Sequence, residues 1–417
     1  MFRIALTSSR RVAQPMLRRA FTVSAVSKQE DFVSRSLHTM SEDEQMMKDA
    51  VSRFARDIVQ PHVSAMDESE TMEPSVIRGL FDAGLMGVET SVDLGGAGAS
   101  FTSAIVVVEE LAKIDPSVSV LCDVHNTLVN TVFRTYASPE LQQQYLPRLS
   151  TDALGCFCLS EPTAGSDAFA LQTRATAQGS DYIINGAKMW ITNSNEADVF
   201  LVFATVDPSL GYRGITCFVV DRNTPGLSVA KKEKKLGIRA SSTCQVSFDD
   251  VRVPATSVVG EVGKGYKIAI EILNEGRIGI AAQMLGLAQG AFDHALPYLF
   301  QRKQFGTKIG EFQAMQHQYA QIATEIEAAR LLTYNAARMK EEGKPFAKEA
   351  AMAKLYASQV AERASSKAVE WMGGVGFTRD MPVEKYYRDC KIGAIYEGTS
   401  NIQLQTIAKI LAKEYQE

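Results

Sequence analysis

The chain is short of the residues that hold metals or staple small folds. Its 417 residues include six cysteines and five histidines. Cys122, Cys156, Cys158, Cys217, Cys244 and Cys390 form no C-x-x-C pair, and His38, His62, His125, His294 and His317 are scattered singly. That argues against a zinc site and a disulfide framework, and leaves reduced, mostly buried thiols as the expectation. Positive charge is not in excess: 44 basic residues face 48 acidic ones for a net charge of −4, so no nucleic-acid partner is indicated. No apolar run approaches the roughly 20 residues of a membrane helix, so no integral membrane segment is expected.

One more absence is local. No acidic residue precedes Glu30, while Arg3, Arg10, Arg11, Arg18, Arg19 and Lys28 fall among serine, threonine, alanine and phenylalanine. An arginine-rich, acid-free, amphipathic start reads as a mitochondrial transit peptide, which is set aside over residues 1–35. Without those six charges, 38 basic residues stand against 48 acidic ones, and the mature chain is clearly acidic. What remains is long enough for two or three domains, with an ordinary 46% hydrophobic and 22% charged content.

Three textures follow one another. Over residues 36–153 the pattern is helical. Ser41 and Glu44 make a capping box, and Val51, Phe54 and Ile58 recur at helical spacing. Residues 101–113 and 118–136 are apolar helix candidates, separated from earlier helices by the small-residue loop 93–100. His125 falls in the second and reads better as a satisfied buried histidine than as a catalytic one. Over residues 154–264 short β-branched and aromatic runs (182–184, 188–192, 199–206, 215–220, 244–248) alternate with turn residues such as Gly186, Gly211 and Gly226, which predicts a β-barrel or sandwich. Its basic run, Lys231, Lys232, Lys234 and Lys235, reads as a solvated face. Over residues 265–417 long helices return. Tyr319, Ile322, Ile326 and Ala329 share a face, Gly343 and Pro345 end that helix, and residues 347–372 form another. The expected architecture is α+β: an N-terminal helical domain, a middle β domain and a C-terminal four-helix bundle.

Several constellations carry possible chemistry. Residues 157–167 bring hydroxyls and small residues to the mouth of the β domain, as a flavin ring or a pyrophosphate needs, although an ordinary turn has the same composition. Trp190 and Thr192 can cover and bond an isoalloxazine, or Trp190 can be core. Asn274, Glu275, Gly276 and Arg277 are read as opening a helix. Arg277 and Asn274 can grip a polar ligand or a neighbouring subunit, while Glu275 is a rival catalytic carboxylate that reads better as a first-turn acid facing the helix dipole. Arg302 suits phosphate. The glycine run after Glu370 follows no strand, so it is not a dinucleotide fingerprint. Last comes Glu397, between Tyr396 and the small residues Gly398, Thr399 and Ser400. Its apolar flank would raise its pKa toward that of a working base, and Thr399, Ser400 and Asn401 are good helix caps. Alone, such a carboxylate reads better as a solvated loop residue.

Taken in order and spacing, SEPTAGSD, KMWITN, NEGRIGIA, RKQFG, EWMGGVGF and YEGTSN resemble the acyl-CoA dehydrogenases, from about Ser41 to the C-terminus. NEGRIGIAAQMLGLAQG and AARLLTYNAAR are similar to the short/branched-chain branch. The resemblance implies FAD held by Phe157, Cys158, Leu159, Ser160, Glu161, Pro162, Thr163, Ala164, Gly165 and Ser166, and by Trp190, Ile191 and Thr192. A partner subunit would add Arg302, Gln313, Glu370, Trp371, Met372, Gly373 and Gly374, and Thr399, Ser400 and Asn401 would close on the cofactor. The acyl-CoA thioester would meet Ser166, Tyr212, Tyr266, Asn274, Glu275, Gly276 and Arg277.

Glu397 would be the base, removing the α-proton while the β-hydride passes to flavin N5, with the thioester carbonyl polarised by the Glu397 backbone N–H and a flavin ribityl hydroxyl. Some members carry the base as a glutamate at the position of Gly276; its absence here favours Glu397 and demotes Glu275. Pro162 and Thr163 stand where the branch more often has a smaller pair, so the acyl-pocket rim is expected to differ. The implied setting is a mitochondrial-matrix homotetramer that oxidises 2-methylbutyryl-CoA-like thioesters in isoleucine and fatty acid catabolism and passes electrons to electron-transfer flavoprotein. Butyryl-CoA or isobutyryl-CoA dehydrogenase, an acyl-CoA oxidase and a non-enzymatic helical scaffold are the competing readings.

Overall fold

The computed structural model describes residue 37 and residues 39–416. The transit peptide read over residues 1–35 lies outside the described residues. Helix α1 (Glu42–Phe54) starts on the expected box: Glu44 N–H donates to Ser41 Oγ at 3.2 Å, and Ser41 N–H to the Glu44 carboxylate at 2.9 Å. Val51 and Phe54 are buried, but Ile58 is 42% exposed. The backbone widens into a π turn over Ala55–Val59, and the extra residue carries Val59 into the core in place of Ile58.

Helices α2 (Val63–Ser69), α3 (Pro74–Asp82), α4 (Phe101–Ala112), α5 (Pro116–Asp123), α6 (Thr131–Tyr136) and α7 (Pro139–Thr151) complete the first layer. The helix expected over 118–136 is a path of three parts, because a second π segment, Val124–Asn130, joins α5 to α6. It is buried throughout, and His125 is satisfied within it. Its Nε2 meets Leu149 O at 2.8 Å, and its Nδ1 accepts from Gly155 N–H at 3.1 Å. Burial holds the imidazole down to about 4, so it stays neutral.

The middle of the chain folds as one mostly antiparallel sheet of β1 (Gly155–Cys158), β2 (Arg174–Gln178), β3 (Asp181–Thr192), β4 (Val199–Thr205), β5 (Ile215–Asp221), β6 (Leu227–Val229), β7 (Thr243–Pro254) and β8 (Val258–Val259), with β1 parallel to β4. The runs at 182–184 and 188–192 are one strand. Gly186 marks a bulge in β3, where a β-carbon would meet Thr173 Cα at 2.8 Å. β4 is buried on both faces, sending Val199, Leu201 and Phe203 into one core and Phe200, Val202 and Ala204 into another. All six cysteines are free and buried. Lys231 and Lys234 are solvated, but Lys232 donates to Glu70 O at 2.7 Å and Lys235 to Ser241 O at 2.7 Å.

The last layer holds α8 (Gly265–Gln301), a hairpin of β9 (Lys303–Gln304) and β10 (Thr307–Lys308), α9 (Gln313–Glu341), α10 (Ala347–Met372), α11 (Val383–Asp389) and α12 (Ser400–Gln416). Helix α10 lies against α8, α9 and α12. Its buried face is largely alanine (Ala350, Ala353, Ala357, Ala361, Ala364, Ala368), which lets neighbouring axes approach closely.

A single lysine ties the layers together. Lys385 of α11 is buried and donates to Asp115 Oδ1 at 2.9 Å and to Asp389 Oδ2 at 2.6 Å. Asp115 caps α5 through Ser117 N–H at 2.8 Å, and Asp389 accepts from Ile238 N–H at 2.5 Å.

Candidate active site

Glu397 sits in a turn that few residues adopt freely. Its φ is +51° and that of Gly398 is +83°, so two successive left-handed residues precede α12. Side chains from elsewhere fix them. Lys354 Nζ donates to Gly398 O at 2.7 Å, and Gln403 Nε2 donates to Glu397 O at 3.0 Å and Gly398 O at 2.8 Å. Thr399 caps the helix, its Oγ1 accepting from Ile402 N–H at 3.4 Å.

The carboxylate points inward. Its Oε2 is shut off from water and, among the described residues, has no hydrogen-bond partner. A β-carbon placed on Gly276 would stand 2.9 Å from that oxygen and 2.9 Å from Leu128 Cδ2. Burial pushes the Glu397 carboxyl up to about 7, against the pull of Lys354 and Arg277. A group poised there can take a proton at neutral pH.

Residues 274–277 do not open a helix. They lie inside α8, whose first residue is Gly265. The first-turn reading of Glu275 therefore fails. Its carboxylate is tied to Lys340 at 3.2 Å, and burial raises it above the ordinary carboxylate range. Arg277 Nη1 donates to Asn274 Oδ1 at 2.8 Å, which leaves its guanidinium beside Glu397.

Four contributors carried no signal in the sequence. Lys354 is fully buried within an alanine-rich helix face, and Gln403 is buried in α12. Leu128 comes from the π segment. Asp123 fills the next notch of α8: its Oδ1 would be 2.0 Å from a β-carbon on Gly279, and Thr127 Oγ1 donates to it at 3.0 Å. Burial holds the Asp123 carboxyl well above the ordinary range, and the Glu397 charge adds to that. Tyr396, the neighbour on the other side, hydrogen-bonds Gln283, whose Nε2 reaches Pro116 O at 2.8 Å.

A second part of the site lies at the mouth of the sheet. Met189 N–H donates to Ser160 O at 2.9 Å, so residues 160–166 run beside the end of β3. Glu161 is buried and consumed internally, by Lys188 at 2.8 Å and by the Gln172 and Thr173 N–H groups at 2.6 and 3.0 Å. Cys158, Leu159, Ala164 and Ile191 are buried too, so only their backbones can meet a ligand. Pro162, Thr163, Gly165 and Ser166 form an open rim, while Phe157, Ser160 and Thr192 are half-buried. Trp190 is not core: it is 59% exposed at a φ of +65°. An uncovered indole near the end of β3, beside a hydroxyl-bearing loop anchored by a buried ion pair, fits a flat polar ring such as a flavin.

Two groups lie further off. Tyr212, 51% exposed, packs edge-on to Tyr266 at 4.9 Å, at the start of α8. Arg302, Gln313, Glu370, Gly373 and Gly374 stand at the other end of the bundle, exposed, with Glu370 paired to Lys367 at 2.5 Å. Trp371 and Met372 are core, the indole donating to Gln318 at 3.1 Å. Along α10 that end is on the order of 27 Å from Lys354.

Residues 41–152, 156–251 and 263–412 match the models of the N-terminal, middle and C-terminal domains of acyl-CoA dehydrogenase. The mitochondrial short/branched chain specific acyl-CoA dehydrogenase of Rattus norvegicus is 60% identical over 379 residues, which cover 91% of this chain and 88% of that one. Butyryl-CoA dehydrogenase from Megasphaera elsdenii superposes with a TM-score of 0.88 at 39% identity, over 90% of this chain and 99% of that one. A glutaryl-CoA dehydrogenase from Mycobacterium smegmatis in complex with FADH2 gives a TM-score of 0.84 at 30% identity, over 89% and 95%.

Proposed function

The chain belongs to the acyl-CoA dehydrogenase family, and from that premise we propose that Glu397 is the base of its reaction. The enzyme carries out FAD-dependent dehydrogenation of short and branched-chain acyl-CoA thioesters. One observation supports the assignment of the base above the others: a buried carboxyl, held near 7, whose inner oxygen faces the notch at Gly276 with no partner among the described residues.

FAD, when bound, supplies the acceptor for the hydride that leaves the β-carbon. The chain's own residues do the rest. Glu397 Oε2 takes the α-proton. The Glu397 backbone N–H is assigned to the thioester carbonyl, where it stabilises the negative charge that develops as the proton leaves. Arg277 and Asn274 position the thioester from α8. Tyr212 and Tyr266 line its approach, with Ser166 on the opposite rim. Residues 157–166, Trp190–Thr192 and Thr399–Asn401 hold the cofactor. Leu128 and the buried face of α8 keep water from the carboxylate, which preserves its basicity. The test is Glu397→Gln: it is expected to fold, keep its flavin and bind acyl-CoA, yet lose turnover by several orders of magnitude. Anaerobic bleaching of the flavin by substrate at the wild-type rate overturns the assignment.

The finer setting belongs to the same proposal. Units 36–153, 154–264 and 265–417 are taken as the three domains. Arg302, Gln313, Glu370, Gly373 and Gly374 are exposed and remote from Glu397, which supports their serving the cofactor of another copy in a homotetramer. A mitochondrial-matrix location is supported by the basic leader and by the mitochondrial relative, and electron-transfer flavoprotein, for which a 41% identical solved structure from Acidaminococcus fermentans is named, is proposed as the acceptor. Oxygen consumption by the purified enzyme would instead favour an oxidase. The 60% identity to the branched-chain relative, against 39% to the butyryl-CoA enzyme, supports 2-methylbutyryl-CoA as the preferred thioester. Comparison of kcat/KM on 2-methylbutyryl-, isobutyryl-, butyryl- and hexanoyl-CoA decides it.

A further inference from the structure

Lys354 is a fully buried lysine in the first half of α10. Among the described residues its ammonium has one hydrogen-bond acceptor, the carbonyl of Gly398 at 2.7 Å. Burying an ammonium against a single neutral acceptor is costly, and an apolar residue of the same length packs a helix bundle at lower cost. The charge therefore calls for an explanation outside the packing of α10.

The surroundings supply one. Gly398 follows Glu397, and both hold positive φ values of +83° and +51°. A side-chain glutamate pays for that conformation unless its neighbours fix it. Gln403 anchors the two carbonyls from one side and Lys354 the second carbonyl from the other. The charged and titratable groups facing Glu397 are Lys354 from α10, Arg277 from α8, Asp123 from α5 and, beside it in the chain, the buried phenol of Tyr396. Arg277 is also bonded to Asn274, in the stretch assigned to the thioester. Lys354 has no such second task.

We propose that Lys354 is a positioning residue for the base: its ammonium pins the Gly398 carbonyl, holds Glu397 in its left-handed turn against Gly276, and supplies positive charge for the ionised carboxylate to face. The proposal rests on the reading of Glu397 as the base. Burial alone would drive Glu397 higher than about 7, and of the two cations that bring it down Lys354 acts more strongly than Arg277. The lysine shows the reciprocal effect: burial lowers it to about 8 while the glutamate pulls it back up.

The experiment is the pH dependence of kcat/KM in flavin-loaded enzyme for Lys354→Met, Lys354→Gln and Lys354→Arg beside the wild type. Loss of the charge is expected to move the acid limb up by about one pH unit or more in the Met and Gln variants, while Arg leaves it near the wild-type position and lowers kcat through altered geometry. A purely structural lysine would lower flavin content or stability without moving the limb. An unmoved limb in either neutral variant, or a shifted limb in Lys354→Arg, overturns the proposal. Glu397→Gln is measured alongside. Turnover surviving in that variant overturns the reading of the base itself, which separates the two failures.

Discussion

Gly276 and Glu397 occupy one place: a β-carbon on the glycine would come within 2.9 Å of the carboxylate oxygen. A side chain at either position reaches the same spot, so only one can hold a base there. Gly276→Ala is expected to crowd both Oε2 and Leu128 and to lower kcat by at least about tenfold, with flavin content unchanged, because small misplacements of a reacting group are costly. Glu397→Gly combined with Gly276→Glu is expected to return part of the turnover that Glu397→Gly loses. Steady-state kinetics on the three variants check this.

The second prediction concerns pH. The base acts ionised, and burial holds it at about 7. kcat/KM is therefore expected to rise with pH along a limb centred near 7, and a limb at 4–5 would contradict the buried setting. The same shift affects the fold. A carboxyl raised in the folded state binds more protons there than in the unfolded chain, so its contribution to stability falls as pH rises from the ordinary carboxylate range through about 7. The Tm of Glu397→Gln relative to the wild type should be higher at pH 8 than at pH 5.

Lys188 and Glu161 are a buried pair at the foot of the cofactor rim. Lys188→Met leaves the glutamate with only two backbone N–H groups and is expected to cost about 3–5 kcal/mol. Adding Glu161→Gln should recover part of the loss. Urea midpoints of the flavin-loaded proteins measure both.

Trp190 gives the converse case. With 59% of its surface open, it contributes little to the core. Trp190→Ala is expected to leave the stability of the flavin-free protein within about 0.5 kcal/mol of the wild type and to weaken flavin retention at least tenfold. Equilibrium dialysis against free flavin provides the measurement.

How much of this was legible in the sequence depended on distance along the chain. The Ser41–Glu44 box and α10, running from Ala347 to Met372, were readable because each is fixed by its own neighbours. Ile58 departs from its helical spacing because a π turn is not encoded in a 3.6-residue period. The stretch Asn274–Arg277 resembles a helix start in sequence, yet α8 begins at Gly265 and continues through it on tertiary packing. Glu397 could be found from a motif. Lys354, Asp123 and Gln403 could not, because each is an ordinary helical residue until folding brings it to the turn at Gly398 or the notch at Gly279.

The Lys385 junction bears on inheritance. One ammonium answers to carboxylates of the first and last layers, and through Asp389 to a backbone N–H of the middle one. The three parts are therefore not interchangeable cassettes. Exchanging one of them with a distant relative would need a matching partner at 115, 238 or 389, and a mismatch would strand a buried charge. A lineage can vary its acyl pocket or its rim residue by residue, but this crossing point changes only when all its contributors change together.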